Sequence, residues 1–153
     1  MSSDPTRTRL HSPPALRTAV LRELPNAATA CIDGRRFVAQ HLSRWQVPDQ
    51  VSDEATLLTS ELVANAVRHA PPPLCLEVTA DTTTIRIEVH DSDPIAPVLT
   101  RPDFSSRGGR GVWLVDMIAS RWGYRPEPPG KVVWFEMDLP TTSDTEKSPG
   151  VPR

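Results

Sequence analysis

The chain has 153 residues, a length that suits one domain around a single hydrophobic core and is too short for two full domains. Its 17 basic and 19 acidic residues leave a net charge of -2, so the composition offers no basic footprint for nucleic acid or for an anionic membrane. The sequence shows neither the apolar core of a signal peptide nor a long apolar run, and we therefore expect a cytoplasmic protein with no membrane association.

Prolines divide the chain into segments, because the sequence holds 17 of them, about twice the usual share. Since proline interrupts helices and central strands, the proline-free runs predict where regular elements lie. The polar ends are poor in large apolar residues, so we expect a flexible arm at 1–14, an ordered domain at 15–140 and a flexible tail at 141–153. Cys31 and Cys75 are too few for a disulfide framework and are predicted to be buried, reduced thiols.

The first half of the domain is predicted to contain one strand and two helices. Residues Ala15–Leu24 are compatible with an edge strand. A helix is predicted from the N-cap candidate Asn26 up to Pro48, since apolar residues recur between them at helical spacing. A second helix is predicted over Asp49–His69, because acidic residues lie near its start and Pro71–Pro73 ends it.

The second half is predicted to contain three strands and one helix. Alternation of apolar and polar residues over Leu74–Ala80 and Thr84–Asp91 indicates a hairpin. A helix is predicted over Gly111–Arg121, after a glycine-rich turn, and a last strand over Lys131–Leu139. Together these elements predict an α+β fold of two layers, in which the helices cover one face of an antiparallel-rich mixed sheet.

Four polar residues line one edge of the helix predicted at Asp49–His69, which is otherwise apolar nearly all round. At about 100° per residue, Glu61, Asn65 and Arg68 fall within a narrow arc, and His69 follows between two leucines. The arc has two interpretations, the solvated stripe of a surface helix or the wall of a site. The flanking leucines favour a packing role for His69.

The residues at the end of the second hairpin strand favour the interpretation that the polar edge of the helix is the wall of a site. The alternation places Asp91 on the apolar face of the sheet, followed by the long loop Ser92–Arg107 and by Gly108–Gly111. Such a glycine-rich turn before a helix can hold phosphate oxygens, because its amides point the same way. The chain lacks the pattern GxxxxGK[ST], which excludes a Walker-type phosphate loop.

Four segments in this order carry a family resemblance: SELVANAVRHA (Ser60–Ala70), HDSDP (His90–Pro94), GGRGVWLVDMIASRWG (Gly108–Gly123) and GKVVWFEMDLP (Gly130–Pro140). By these segments the chain resembles the GHKL superfamily of Bergerat-fold ATPases and kinases. In particular, it is similar to small actinobacterial ATP-binding regulators related to anti-sigma-factor serine/threonine kinases. The resemblance implies a Bergerat-type two-layer α/β sandwich that binds ATP and Mg²⁺.

The resemblance also implies roles for individual residues. Glu61 stands at the position of the general base, and Asn65 at that of the residue that holds Mg²⁺ on the triphosphate. Asp91 stands at the position of the aspartate that accepts the adenine amino group, and the glycines that follow would form a hinge and phosphate cradle. The implied cofactor-binding residues are Asn65, Asp91, Gly109, Arg110, Gly111 and Val112.

Three positions depart from the family pattern. Asp93 stands where the family usually has glycine, and Val112 where it usually has leucine. Val132 stands where the family commonly has a threonine that helps to order water near the adenine, so adenine recognition would depend more on Asp91. These departures bear on nucleotide affinity, and hence on kinase activity, more than on the fold.

Functions of different classes stay open at this point. The first is an anti-sigma factor that binds Mg-ATP, sequesters a sigma factor and phosphorylates a serine of an anti-anti-sigma antagonist. The second is a catalytically inactive nucleotide-binding or pure protein-interaction module that sequesters a transcription regulator. A third, nucleic-acid binding, depends only on Arg7, Arg9 and Arg17 and on four tryptophans, for which packing is favoured. The resemblance also leaves a homodimer open.

Overall fold

Five strands form the sheet at the centre of the structure. The computed structural model describes residues 16–21, 23–24, 28–70, 73–99 and 111–141. The strands are β1 Arg17–Leu21, β2 Cys75–Ala80, β3 Thr84–Asp91, β4 Arg121–Glu127 and β5 Gly130–Asp138. They lie in the order β1-β2-β3-β5-β4, and each of these pairings is antiparallel.

One face of the sheet is apolar because every second residue of the central strands points towards it. Ile87 of β3 is fully buried, directly opposite Val78 of β2 and Phe135 of β5. Ile85 and Val89 repeat this burial along β3. The residues between them are polar, so one face is suited to a covering layer and the other to water.

Three helices supply the covering layer: α1 Ala30–Arg44, α2 Asp49–His69 and α3 Gly111–Ile118. The central helix is α2, which contacts α1 and α3 as well as β3 and β5. Leu58, Leu62 and Val63 of α2 belong to the same buried cluster as the inner face of the sheet. This packing fixes the polar edge of α2 relative to the ends of β3 and β5.

The predicted α+β architecture, with two layers and helices on one face, is confirmed. The predicted hairpin is present, and the register places Asp91 of β3 opposite Lys131 of β5. The sheet, expected to be mixed, shows no parallel pairing among the described strands. Short turns join β2 to β3 and β4 to β5, and such connections allow only antiparallel neighbours.

The sequence does not predict β4, because Pro126 lies within it and two more prolines follow. This strand is the last in the order of the described strands, so one side of its backbone has no partner among them and proline is tolerated there. The helix predicted over Gly111–Arg121 consequently ends at Ile118, and the chain then enters β4. The first helix begins at Ala30, later than predicted, and residues 25–27 lie outside the described part of the chain.

The remaining expectations concern the cysteines, the ends and the membrane. Cys31 and Cys75 are reduced thiols that form no disulfide, as predicted, but they are half-buried instead of buried. The arm expected at 1–14 lies outside the described residues, as does the tail after Thr141. Among the described helices, none combines the length and the apolar character that crossing a membrane requires.

Candidate functional site

One edge of α2 carries the first polar groups of the site. The helix buries Leu58, Leu62 and Ala66, which leaves Glu61 and Asn65 half-buried on the neighbouring edge. One helical turn separates these two residues, so the carboxylate and the carboxamide project from the same side of the helix. This is the arrangement that the sequence predicts.

Glu61 lies at the junction between α2 and α1. Burial raises the pKa of the Cys31 thiol in α1, the charge of Glu61 raises it further, and Arg35 acts in the opposite direction. The same thiol donates to the backbone carbonyl of Ser60 at 3.7 Å. The Glu61 carboxylate is therefore within electrostatic reach of α1.

Asp91, at the end of β3, is held from two sides. Its Oδ1 accepts a hydrogen bond from the backbone N–H of Asp93 at 2.8 Å, which folds the following loop back towards the strand. Both carboxylate oxygens lie 3.2 Å from Nζ of Lys131. The Asp91 side chain is only 2% exposed, so the lysine compensates a carboxylate that water hardly reaches.

Lys131 is a site residue that the motifs do not indicate. Its side chain is 4% exposed, and Nζ donates to the backbone carbonyl of Asp93 at 3.0 Å. The sequence does contain a signal: Val133 and Phe135 face the core, and the same alternation puts Lys131 on that face. A lysine on an apolar face requires a carboxylate partner, because burying an unpaired charge is costly.

A cavity of about 330 Å³ lies between the C-terminal end of α2 and the loop that follows β3. It is lined by Asn65, Arg68, His69, Asp93, Ile95, Ala96, Pro97, Val98 and Lys131. Small-molecule sites typically enclose about 300 to 1,000 Å³ and combine apolar walls with a few polar groups. The cavity therefore has the size and the composition of a small-molecule site.

The cavity contains one of the predicted binding residues, Asn65. Asp91 is not among the described residues that line it and reaches it only through the ion pair with Lys131. Glu61 is not among the described residues that line it. His69 is exposed and contributes to the lining, so the predicted packing role is wrong, because the core does not extend along this edge to the last turn of α2.

The glycine-rich segment is described only in part. Gly109 and Arg110 lie outside the described residues. Gly111 is the first residue of α3, and Val112 is buried with 4% exposure. The phosphate-binding roles of this segment therefore stay predictions.

The side chain of Val132 does not face Asp91. In the register of β3 and β5, Val132 is opposite His90, whereas Lys131 is opposite Asp91. Neighbouring residues of a strand point to opposite faces, so Val132 lies on the face away from the helices. The side chain opposite Asp91 in the register belongs to Lys131, and the effect of Val132 on water near an adenine stays a prediction.

The polar groups of the cavity fit a magnesium nucleotide. Asn65 offers a carboxamide oxygen, a type of ligand that Mg²⁺ accepts together with phosphates and water. Arg68 brings positive charge suited to an anionic ligand, whereas the charge of Lys131 is compensated by Asp91 and Asp93. The apolar residues of the loop at 95–98 offer a wall against which a flat base can lie.

Comparison with known families identifies one match. The model of the histidine kinase-like ATPase domain matches residues 24–137. The matched range contains all three helices, the strands β2, β3 and β4 and nearly all of β5, and thus every described residue that lines the cavity. No curated protein matches the chain significantly.

Proposed function

The chain belongs to the histidine kinase-like ATPase domain family, and from this premise we propose that it binds Mg-ATP in the cavity beside α2. The nucleotide serves a regulatory activity. The protein acts in the cytoplasm as an anti-sigma factor with serine/threonine kinase activity. Its partners are a sigma factor and an anti-anti-sigma antagonist, and the antagonist is the substrate that it phosphorylates.

The observation that carries this proposal is the position of Asn65 and Lys131 in one cavity. These residues come from a helix and from a strand that are far apart in the sequence, and Lys131 is the ion-pair partner of Asp91. Function depends on such a site more than on the fold, because one fold hosts many activities. The family match and the cavity therefore support nucleotide binding together.

Each residue has a defined part in the proposed reaction. Asn65 holds Mg²⁺, and Asp91 holds the base. Glu61, placed one turn before Asn65 and next to α1, accepts the proton of a serine hydroxyl on the antagonist. The serine oxygen forms a bond to the γ-phosphorus while the bond between the γ-phosphorus and the β,γ-bridging oxygen breaks. ADP leaves with the electron pair of the broken bond. Positioning and charge neutralisation supply most of the catalysis in reactions of this kind.

A second candidate function is a catalytically inactive module that sequesters a transcription regulator. It is favoured by the contacts of Asp91, whose 2% exposed carboxylate already holds Lys131 and the Asp93 N–H. An adenine amino group has to share this carboxylate with the lysine. In this second case a bound nucleotide only orders the loop after β3, and no phosphate is transferred.

The first test is calorimetric titration of the full chain with Mg-ATP. Asn65→Ala should weaken Mg-ATP binding by about tenfold or more, because Mg²⁺ loses a protein ligand. Gln50→Ala, which removes an amide from the first turn of the same helix, is the matched control and should bind as the wild type does. A wild-type chain without measurable affinity for Mg-ATP would contradict nucleotide binding.

The second test is phosphate transfer from labelled Mg-ATP to candidate antagonist proteins of the same genome. Glu61→Gln should retain nucleotide and reduce transfer by about 10² to 10⁴, because the general base is lost. Glu54→Gln, on the same helix, should transfer phosphate at the wild-type rate. Nucleotide binding without any transfer by the wild type would favour the inactive module.

A further inference from the structure

Three side chains that can ligate a metal meet on the open face of the sheet, the face away from the helices. Glu77 of β2 lies directly opposite Glu88 of β3, and His90 follows Glu88 on the same face, two residues further along the strand. One ligand atom of each side chain lies within 4.8 Å of the others. Because two carboxylates directly opposite each other repel, this pairing needs positive charge beside it.

The arginines of this face leave one acceptor position of Glu88 unused among the described contacts. Each carboxylate oxygen has two lone pairs. Oε1 of Glu88 accepts from Nε of Arg86 at 2.8 Å and from Nη1 of Arg125 at 3.0 Å, which uses both of its lone pairs. Oε2 accepts from Nη2 of Arg125 at 3.0 Å and so retains one lone pair for a further partner.

A nitrogen of His90 lies close to this oxygen. Nδ1 of His90 is 3.3 Å from Oε1 of Glu127, so that carboxylate can accept the Nδ1–H and select the tautomer in which Nε2 carries a lone pair. The His90 side chain is 22% exposed, but Nε2 itself is buried and has no hydrogen-bond partner among the described residues. Nε2 lies 3.4 Å from Oε2 of Glu88, and two acceptors this close are favourable only with a cation between them.

The separation of the two atoms fits ligands of one tetrahedral zinc ion. Zinc binds imidazole nitrogen and carboxylate oxygen at about 2.0 to 2.2 Å, which places two ligand atoms about 3.3 to 3.6 Å apart. Nε2 of His90 and Oε2 of Glu88 are 3.4 Å apart. A ligating histidine typically donates its other N–H to a carboxylate, as His90 can to Glu127. An imidazole ligand also favours zinc over magnesium, which prefers oxygen ligands.

We propose that Glu77, Glu88 and His90 bind one zinc ion, whose fourth ligand is water. The charge of the surrounding network supports a dication. Among the side chains that the structure describes, this network contains three arginines and five carboxylates: Arg86, Arg121, Arg125, Glu77, Glu88, Glu127, Glu136 and Asp138. The ion would join β2 to β3 and, through Glu127, to β4.

A metal site needs an entry path as well as ligands. His90 and Glu127 line a cavity of about 400 Å³ at the turn between β4 and β5. An ion that enters this cavity is next to the imidazole. Because the three ligands lie on the face away from the helices, the site is independent of the proposed nucleotide binding.

The experiment is equilibrium dialysis of the full chain against ZnCl₂, after removal of metal with a chelator and without nucleotide. His90→Gln and Glu77→Gln should each weaken the binding of one zinc ion by about a hundredfold or more, because a ligand is lost. Glu127→Ala should weaken it by about ten- to a hundredfold, because the imidazole is no longer oriented. His41→Gln removes an imidazole that packs between Phe37 and Trp45 on α1, and it should bind zinc as the wild type does.

A second measurement needs no variant. X-ray absorption at the zinc edge of the wild-type complex should show nitrogen and oxygen ligands at about 2.0 to 2.2 Å and no sulfur. Sulfur at about 2.3 Å would assign the ion to a cysteine and overturn the inference.

Three further results would overturn it. A wild type that binds no zinc would mean that a proton, and not a metal, lies between His90 and Glu88. Zinc affinity unchanged in both His90→Gln and Glu77→Gln would place the ion elsewhere. Equal affinity for magnesium would contradict an imidazole ligand. None of these outcomes bears on the proposed function, since no nucleotide is present.

Discussion

At the scale of single residues, Gly130 allows the end of β3 to approach the start of β5. An added Cβ would overlap the backbone carbonyl oxygen of Asp91 and lie 2.7 Å from Cα of Ser92. Backbone atoms cannot move aside as a flexible side chain can, so this close approach requires glycine. Since Lys131 follows directly, the same approach brings its ammonium group to Asp91.

Gly130→Ala should therefore lower the free energy of unfolding by about 2 to 4 kcal/mol, because the strands have to separate at this point. Urea denaturation of the variant and the wild type measures the difference. Gly34→Ala, in the interior of α1, is the matched control: its Cβ would make ordinary van der Waals contacts with side-chain atoms of Val63 at 3.4 Å, Leu76 at 3.7 Å and Thr59 at 3.9 Å. The helix propensity of alanine should then raise the stability by about 0.5 to 1 kcal/mol. Equal stability of Gly130→Ala and the wild type would contradict the proposed close contact.

At the scale of elements, an ion-pair network ties β3, β4 and β5 together on the open face of the sheet. Arg86 contacts Glu88 at 2.8 Å and Glu136 at 2.7 Å, and Arg125 of β4 reaches both oxygens of Glu88 at 3.0 Å. The Arg86 guanidinium also lies 4.0 Å from the centre of the Trp134 ring. Networks of this kind contribute more than isolated surface pairs do, so the edge strand β4 is fastened by more than its backbone hydrogen bonds.

The network makes the stability dependent on pH. Burial would raise the pKa of Glu88, but the hydrogen bonds and charges of Arg125 and Arg86 outweigh it and lower this pKa from 4.5 to about 2. A depressed pKa in the folded state means that the ionised carboxylate stabilises the fold above about pH 4.5. That contribution is lost as the pH falls towards 2.

Glu88→Gln should therefore lower the free energy of unfolding by about 1 to 2 kcal/mol at pH 7, after allowance for solvent screening, and by almost nothing near pH 2. Urea midpoints measured between pH 2 and pH 7 test this expectation. Glu54→Gln is the control, because the Glu54 carboxylate accepts only from the Gln50 amide in the described structure. Its stability difference from the wild type should not disappear towards pH 2 in the way expected for Glu88→Gln. A difference at pH 7 that persists unchanged at pH 2 would show that the loss does not come from the ionised carboxylate.

At the scale of the whole molecule, one hydrophobic core spans both layers. Leu42 of α1, Leu58 of α2 and Phe135 of β5 are all fully buried members of the same cluster. Neither the helices nor the sheet can keep its apolar side from water without the other layer. We therefore expect the described domain to unfold in one cooperative step.

Far-UV circular dichroism and tryptophan fluorescence should accordingly give the same urea midpoint. Trp45 is the C-cap residue of α1 and Trp134 lies in β5, so the fluorescence reports on both layers. Phe135→Ala should lower the stability by about 3 to 5 kcal/mol and shift both signals together, because the cavity it leaves is shared by the layers. Separate midpoints for the two signals would contradict a single core.

Local patterns determined much of the fold. Helical spacing of apolar residues predicts α2, and the alternation of residues predicts the hairpin of β2 and β3, because both signals depend only on neighbours in the sequence. The same alternation places Asp91 on the covered face, where the structure has it. By contrast, β4 contains Pro126 and is possible only at the edge of a sheet, and the order of the strands is not a local property.

The features of the candidate site can also be separated into those that local sequence patterns determine and those that only the tertiary structure decides. The sequence by itself determined that Glu61 and Asn65 share one edge of a helix and that Asp91 ends a strand, since periodicity within one element decides both points. Only the tertiary structure decided that Lys131 faces Asp91, because this pair depends on the register between β3 and β5. It also placed Asn65 and Lys131 in one cavity, which depends on how the apolar side of α2 packs over the sheet and not on any short pattern of residues.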